Sequence, residues 1–276
     1  MDTPGLVALS TSIGWAHTLD DWTTILDAGQ IVGHRDPAGA PMSSAALFDY
    51  GDRLLSIGMV LVAPPHRRRG LARAVMDRCL SMAGRRPTML IATAMGEPLY
   101  VDLGFAEVGR VARMAREGAA ASAVGAAAGA VGAERLPSIS TADVHAVLEL
   151  DQIACGADRS ALLRSLLARA ATTAVVRSAS GGIRAFGIAL RQRDQLVVAP
   201  LIAPNASDAL TLFQSLAGGH AGPVRLDVPT KQEAFISALV GLGLTQGPSA
   251  PIMLLRAGGL PGRREQLHAI ASRGFG

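Results

Sequence analysis

Aromatic residues make up only 4% of this 276-residue chain, and charged residues only 17%. So few aromatics weaken any reading that needs the stacking platforms of single-stranded nucleic-acid binding, and leave aliphatic side chains and alanine to build most of the core. There are two cysteines, Cys79 and Cys155. Two thiols this far apart give neither a disulfide framework nor metal-ligand spacing, so no metal is expected. No stretch approaches the roughly 20 apolar residues that span a bilayer, and no basic segment followed by an apolar run stands at the N-terminus. The expectation is a cytoplasmic protein with no membrane partner.

Hydrophobic residues reach 49%, which places the chain among globular proteins, long enough for one large domain or two small ones. The net charge is a modest +4, and arginines cluster at 67–69, 85–86 and 263–264. Clusters of this kind point to local anion sites and away from a nucleic-acid track.

One run carries the most information: Ile57-Gly-Met-Val-Leu-Val-Ala-Pro-Pro-His-Arg-Arg-Arg-Gly-Leu-Ala-Arg73. It reads as an apolar strand, a proline stop, an arginine-rich turn with one glycine, and an amphipathic helix. Leu71, Val75 and Cys79 share one face of that helix. Such a turn aims free backbone N–H groups and the positive helix end at one point, which suits a phosphate. From the residues alone, a surface turn with solvated arginines is the alternative.

Composition shifts at Glu117–Glu134, a tract of alanine, glycine, serine and valine with no bulky side chain to pack. It divides the chain into a first domain at 1–115, a linker at 116–136 and a second domain at 137–276. The first half predicts a helix at Leu19–Ala28 and strands at Gln30–Gly33, Ala45–Tyr50 and Leu54–Val62. A helix at Leu71–Ala83, a strand at Thr88–Thr93, a short helix at Pro98–Asp102 and a strand at Phe105–Met114 follow. The second half repeats the order. After a helical run at Ser160–Ala170 come strands at Ala174–Arg177, Ile183–Leu190 and Gln195–Leu201, a helix at Ala206–Leu216 and a strand at Val224–Val228. A helix at Gln232–Leu242 and a strand at Ile252–Arg256 end it. Pro64 matches Pro204, and Gly104 matches Gly243.

Val62-x-Pro64-x-x-Arg67-x-x-Gly70-x-Ala72 resembles the acetyl-CoA-binding motif of the GNAT acyltransferase superfamily. Pro98-Leu99-Tyr100-x-x-Leu103-Gly104-Phe105 resembles the downstream motif of the same superfamily. The second half, with Asp151, Gly156-x-Asp158-Arg159, Ala199-Pro200-Leu201 and Arg225-Leu-Asp227, resembles the C-terminal domain of a tandem acetyltransferase. The resemblance implies an α/β (α+β) fold of two tandem GNAT-like domains. Each would be a mixed, mostly antiparallel sheet flanked by helices, the first splayed open around the cofactor.

That cofactor would be acetyl-CoA or another short acyl-CoA. The resemblance assigns it to Val60, Leu61 and Val62 of the strand, to Arg67, Arg68, Arg69, Gly70, Leu71, Ala72 and Arg73 of the turn, and to Thr93, where many relatives carry asparagine. It implies transfer of an acetyl group to a primary amine of a small molecule or peptide, with Tyr100 protonating the departing sulfur. A phenol, neutral at pH 7, suits that task. Gly58 is a candidate bulge that frees an N–H for the thioester oxygen, or a glycine packed under a neighbour. A non-catalytic acyl-CoA-responsive or protein-binding module on the same scaffold is the alternative function, and a homo-oligomer stays open.

A general base does not stand out. Asp21, Asp49, Asp52, His17 and His66 are candidates by location, with Asp49 and Asp52 nearest the central strands. Only Met1–Thr18 precedes the first predicted helix, so the first strand usual in the superfamily is truncated, supplied by another segment, or replaced by Gly5–Leu9. In the second half the phosphate turn reads Ala203-Pro-Asn-Ala-Ser-Asp-Ala-Leu210, without glycine or arginine, and Leu239 stands where Tyr100 would be. Asp151 and Arg159, beside Asp158, either meet an acceptor there or cap the following helix.

Overall fold

The computed structural model describes residues 3–118 and 136–275. They form two compact units that interleave in sequence: Met1–Ala106 with Met253–Gly259 and Arg273–Gly276, and Glu107–Ile252 with Leu260–Ser272. Most of the Ala/Gly-rich tract, at 119–135, lies outside the described residues.

The first unit opens with helices α1 (Thr3–Ser12) and α2 (Leu19–Ala28). α1 rules out a strand at Gly5–Leu9, one of the three alternatives for the first strand. Leu6 and Leu9 fall on one helical face and are both buried, whereas a strand would send them to opposite sides. Trp22 of α2 fastens the pair by donating from Nε1 to Ser10 Oγ at 3.2 Å. α2 begins at a capping box between Thr18 and Asp21.

Strands β1 (Gln30–Arg35), β2 (Pro41–Asp49) and β3 (Leu55–Val62) follow as an antiparallel set. Helix α3 (Leu71–Ala83) then crosses over to β4 (Thr88–Ile91), which pairs parallel with β3. A short helix, α4 (Glu97–Asp102), comes next. Met253–Leu255, the end of a strand that begins at Thr245, belong to this unit beside β4.

One face of this sheet presents Ala45, Leu47, Leu55 and Ile57 to Val75, Met76 and Cys79 of α3 in a single buried cluster. Each large side chain buried there contributes about 1.5–3 kcal/mol. Alternation along β2 and β3 sends Ala46, Phe48, Ser56 and Gly58 to the opposite face.

The second unit holds most of β5 (Ala106–Arg116), then α5 (Val144–Cys155), α6 (Ser160–Ala168), β6 (Thr172–Arg177), β7 (Ile183–Gln192) and β8 (Gln195–Ile202). It continues with α7 (Ala206–Ala217), β9 (Val224–Pro229), α8 (Glu233–Gly241), β10 (Thr245–Leu255) and β11 (Leu267–Ala269). Its strand order is β10-β5-β9-β8-β7-β6, with β11 on β8. The β8–α7–β9 passage repeats the β3–α3–β4 plan, a parallel pair joined by a crossover helix. Leu212, Phe213 and Leu216 of α7 pack with Val198, Leu201 and Leu226 in its core.

Candidate active site

β3 and β4 are joined at Leu55–Thr88 and Ser56–Met89, while β3 runs on to Val62. Past those pairs no ladder residues join the two strands, so the β4-side edge of β3 beyond Ser56 has no strand partner among the described residues. Within that stretch the register with β2 slips: Ser44 faces Leu61 and Ala46 faces Gly58, so Met59 and Val60 together oppose Ala45. Two residues against one is a β-bulge, which takes backbone groups out of the ladder and turns them aside. Met59 sits at φ +52°, a left-handed conformation that costs a non-glycine residue about 1–3 kcal/mol. The buried hydroxyl of Ser44 holds it there by donating to the Met59 carbonyl at 2.9 Å.

The bulge thus falls one residue beyond Gly58. Gly58 itself lacks a side chain for another reason: a Cβ there would clash with the carbonyl oxygen of Gly274. Of the strand residues assigned to the cofactor, Val60 and Val62 are half-buried, whereas the Leu61 side chain is in the core. Leu61 therefore has only its backbone to offer a ligand.

After β3 the chain makes a short 3-10 turn at Pro64–His66. Arg68 (φ +59°) and Gly70 (φ +76°) then both adopt the left-handed conformation. Gly70 is the N-cap of α3, with no side chain capping the first turn and nothing within 4 Å of where its Cβ would be. The helix therefore starts with uncapped N–H groups behind an open approach, in the kind of concave backbone that binds anions. Arg67, Arg68, Arg69 and Arg73 are exposed around it, and Leu71 and Ala72 are half-buried. Arg69 reaches His66 Nδ1 at 3.0 Å.

Thr93 is exposed and engaged in a turn. Its carbonyl accepts from the amides of Gly96 and Glu97 at 2.9 Å, and its Oγ1 accepts from Gly96 N at 3.2 Å, so it starts α4. Tyr100, on that helix, is 7% exposed and packs edge-on to Phe105 at 6.2 Å. Gly96 makes room for the ring, since a Cβ there would lie 2.9 Å from Tyr100 Cε2. Burial pushes the phenol up to about 12. Among the described residues its hydroxyl has no hydrogen-bond partner.

Of the base candidates, Asp49, Asp21, His17 and His66 are tied into local structure. Asp49 pairs with Arg86 at 2.8 Å and accepts from Gly51 N. Burial raises its carboxyl, but the Arg86 hydrogen bond, the Gly51 amide and the Arg86 charge together carry it below the ordinary value. Asp21 accepts from Thr18 N in the capping box of α2, His17 lies against Trp15 and Trp22, and Asp52 is in an exposed turn.

The second unit has corresponding places with different contents. Its register slip sets Gly187 against Leu201 and Ala189 against Val198, which puts Ala199-Pro200 where Met59-Val60 stand in the first unit. Proline has no N–H to direct at a ligand. The N-terminus of α7 is filled: Asn205 Oδ1 accepts from the Asp208 amide at 2.9 Å, and Arg184 pairs with Asp208 at 2.6 Å.

β8 and β9 pair at Leu196–Val224 and Val197–Arg225, and beyond those pairs β11 pairs with β8 at Ile202–Leu267 and Leu201–Ala269. On the other side Ile270 N donates to the carbonyl of Asp227 in β9 at 3.0 Å. Gln232 Nε2 secures the segment from the carbonyls of Glu265 and Leu267. The space between these strands is filled by the chain itself.

Asp151 and Arg159, offered by the sequence for an acceptor, face each other in the interior. Arg159 donates to both carboxylate oxygens, at 3.0 and 2.6 Å. Asp158 accepts from Ser160 N at 2.8 Å, as a residue opening α6 should.

Sequence comparison agrees with this architecture. Residues 27–119 match the family described as an acetyltransferase (GNAT) domain, and residues 147–269 match a second family of the same description. Over 274 residues, 99% of this chain and 94% of the relative, the sequence is 28% identical to the uncharacterized N-acetyltransferase YitH of Bacillus subtilis (strain 168). A putative acetyltransferase from Pyrococcus horikoshii superposes with a TM-score of 0.74 at 18% identity, covering 100% of this chain and 92% of that one. A tandem GNAT protein from the clavulanic acid biosynthesis pathway gives 0.62 at 15% identity, covering 92% and 94%. The chain belongs to the GNAT acetyltransferases and carries two GNAT domains in tandem. Each has the mixed, mostly antiparallel sheet with flanking helices that the resemblance implied.

Proposed function

We propose that the first unit binds acetyl-CoA between β3 and β4 and transfers the acetyl group to a primary amine of a small molecule or peptide. The observation that carries this reading is the uncapped start of α3 behind left-handed Gly70, at the end of a bulged strand whose β4-side edge has no strand partner there among the described residues. The matching places in the second unit are capped by Asn205 and Asp208 and filled by β11, which supports one cofactor site per chain.

Acetyl-CoA supplies an activated acyl group as a thioester. Backbone N–H groups from Arg67 to Ala72 hold its pyrophosphate, with the positive end of α3 behind them, and the exposed arginines meet the outer phosphates. The edge of β3 from Val60 to Val62 holds the arm by backbone hydrogen bonds, as one strand holds another. An N–H turned aside at the Met59–Val60 bulge orients the thioester oxygen and stabilises charge that develops on it. The amine nitrogen forms a bond to the acyl carbon while the carbon–sulfur bond breaks. Tyr100 gives its proton to the sulfur, and the proton the amine loses to water is replaced on the phenol from that water.

Mixing the purified protein with acetyl-CoA and a panel of primary amines, with free thiol as the readout, tests the reading. Amine-dependent thiol release supports it. Cofactor binding without release across the panel favours the non-catalytic module instead.

A further inference from the structure

The first unit has a contact that neither the cofactor motif nor the turn explains. Gly274 lies on β3 so closely that Gly58 has no room for a Cβ. The neighbouring Phe275 is anchored twice. Its ring meets Phe48 edge-on at 5.3 Å, and its carbonyl accepts a 2.9 Å hydrogen bond from the buried Tyr50 hydroxyl. Phe275 and Phe48 are both buried. This short segment lies against the strand one residue short of the Met59–Val60 bulge.

The face it covers matters. On the other side of β3, Leu55 and Ile57 are sealed against α3 by Val75, Met76 and Cys79. That packing closes the α3 side of the strand to a polar acceptor, which leaves the β3 edge and the face of Ser56 and Gly58. On that face the Gly274 backbone lies against Gly58, beside α1, which also touches β2 and β3, and Gly58 and Met59 are buried.

We propose that Arg273–Phe275 form a strap that closes the acceptor-side face of the acyl site and keeps water from the thioester. This rests on the reading that the thioester lies at the β3 bulge. Tyr50, Phe48 and Gly58 are then positioning residues, whose task is to seat the strap. A water-excluding cover suits a transferase, because hydrolysis of the activated acyl group competes with transfer.

Gly58→Ala tests the strap, because a methyl group at 58 and the carbonyl of Gly274 cannot occupy one place. Tyr50→Phe removes one anchor while keeping the ring, and Phe275→Ala removes the other, so the answer does not depend on one variant folding. Three readouts are taken: hydrogen–deuterium exchange of the peptide covering 268–276, calorimetric affinity for acetyl-CoA, and thiol release from acetyl-CoA with no amine present.

Gly58→Ala should raise exchange in that peptide and raise hydrolysis about tenfold, with cofactor affinity unchanged. The other two variants should move the same way by less. Faster exchange with unchanged hydrolysis overturns the strap while leaving the cofactor site intact. Exchange that stays at the wild-type rate in every folded variant also overturns it, since the anchors then do not hold the segment. Failure of the wild-type protein to bind acetyl-CoA overturns both the strap and the cofactor reading.

Discussion

Arg159 and Asp151 meet in a doubly hydrogen-bonded ion pair in which each side chain is only 2% exposed. Removing one partner from such a pair strands a buried charge, at a cost of about 3–5 kcal/mol. Asp151→Ala should therefore lower the urea midpoint sharply, while the molecules that stay folded keep their kinetic constants. Unchanged stability with a raised KM for amine would instead return Asp151 to the acceptor site.

Tyr100→Phe should cut turnover by about a hundredfold or more and leave acetyl-CoA affinity alone, as expected for a proton donor that acts only on the leaving group. The same residue predicts a pH effect on stability. Its phenol stands at about 12 in the folded chain, raised by burial from an ordinary 10.0. A value raised by folding gives stability that is whole below pH 10 and is lost as the pH climbs towards 12. Wild-type protein should lose stability over that window relative to Tyr100→Phe, as followed by thermal melts at stepped pH.

Gly70 and Asn205 occupy matching helix starts and should respond differently. Gly70→Ala places a side chain at φ +76°, a strain of about 1–2 kcal/mol, and should weaken acetyl-CoA binding about tenfold as the turn shifts. Asn205→Ala removes the cap of α7, costing about 1 kcal/mol of stability, and should leave cofactor binding untouched. Paired titrations and melts of the two variants check both statements.

Ser56 buries a hydroxyl that has no hydrogen-bond partner among the described residues. An unsatisfied group of this kind costs about 1–3 kcal/mol, so Ser56→Ala should match or exceed the wild-type melting temperature. A clear loss of stability would mean that the hydroxyl is satisfied, for instance by a trapped water.

Much of the scaffold was legible because it rests on local signals. α2 and α3 begin and end where the capping residues and the apolar spacing put them, at Leu19–Ala28 and Leu71–Ala83. The motif places Gly70 in the turn before α3, where it is left-handed. What stayed hidden depends on distant partners. The need for glycine at 58 comes from Gly274, more than two hundred residues away in sequence, and no local pattern announces that contact. The filling of the β8–β9 gap by β11 was hidden in the same way; only the apolar run Leu267-His-Ala-Ile-Ala271 hints at a buried strand. Gly5–Leu9 is too short to show whether its period is that of a strand or a helix, and nothing in the local pattern sets α5 apart. The pairing of Asp151 with Arg159 was invisible because one charge on its own cannot reveal its partner.

A calorimetric titration of the full chain with acetyl-CoA tests the central claim most directly. One cofactor per chain, weakened by Gly70→Ala and unaffected by Asn205→Ala, is the predicted result. No binding at millimolar cofactor, or two equivalent sites per chain, would contradict it.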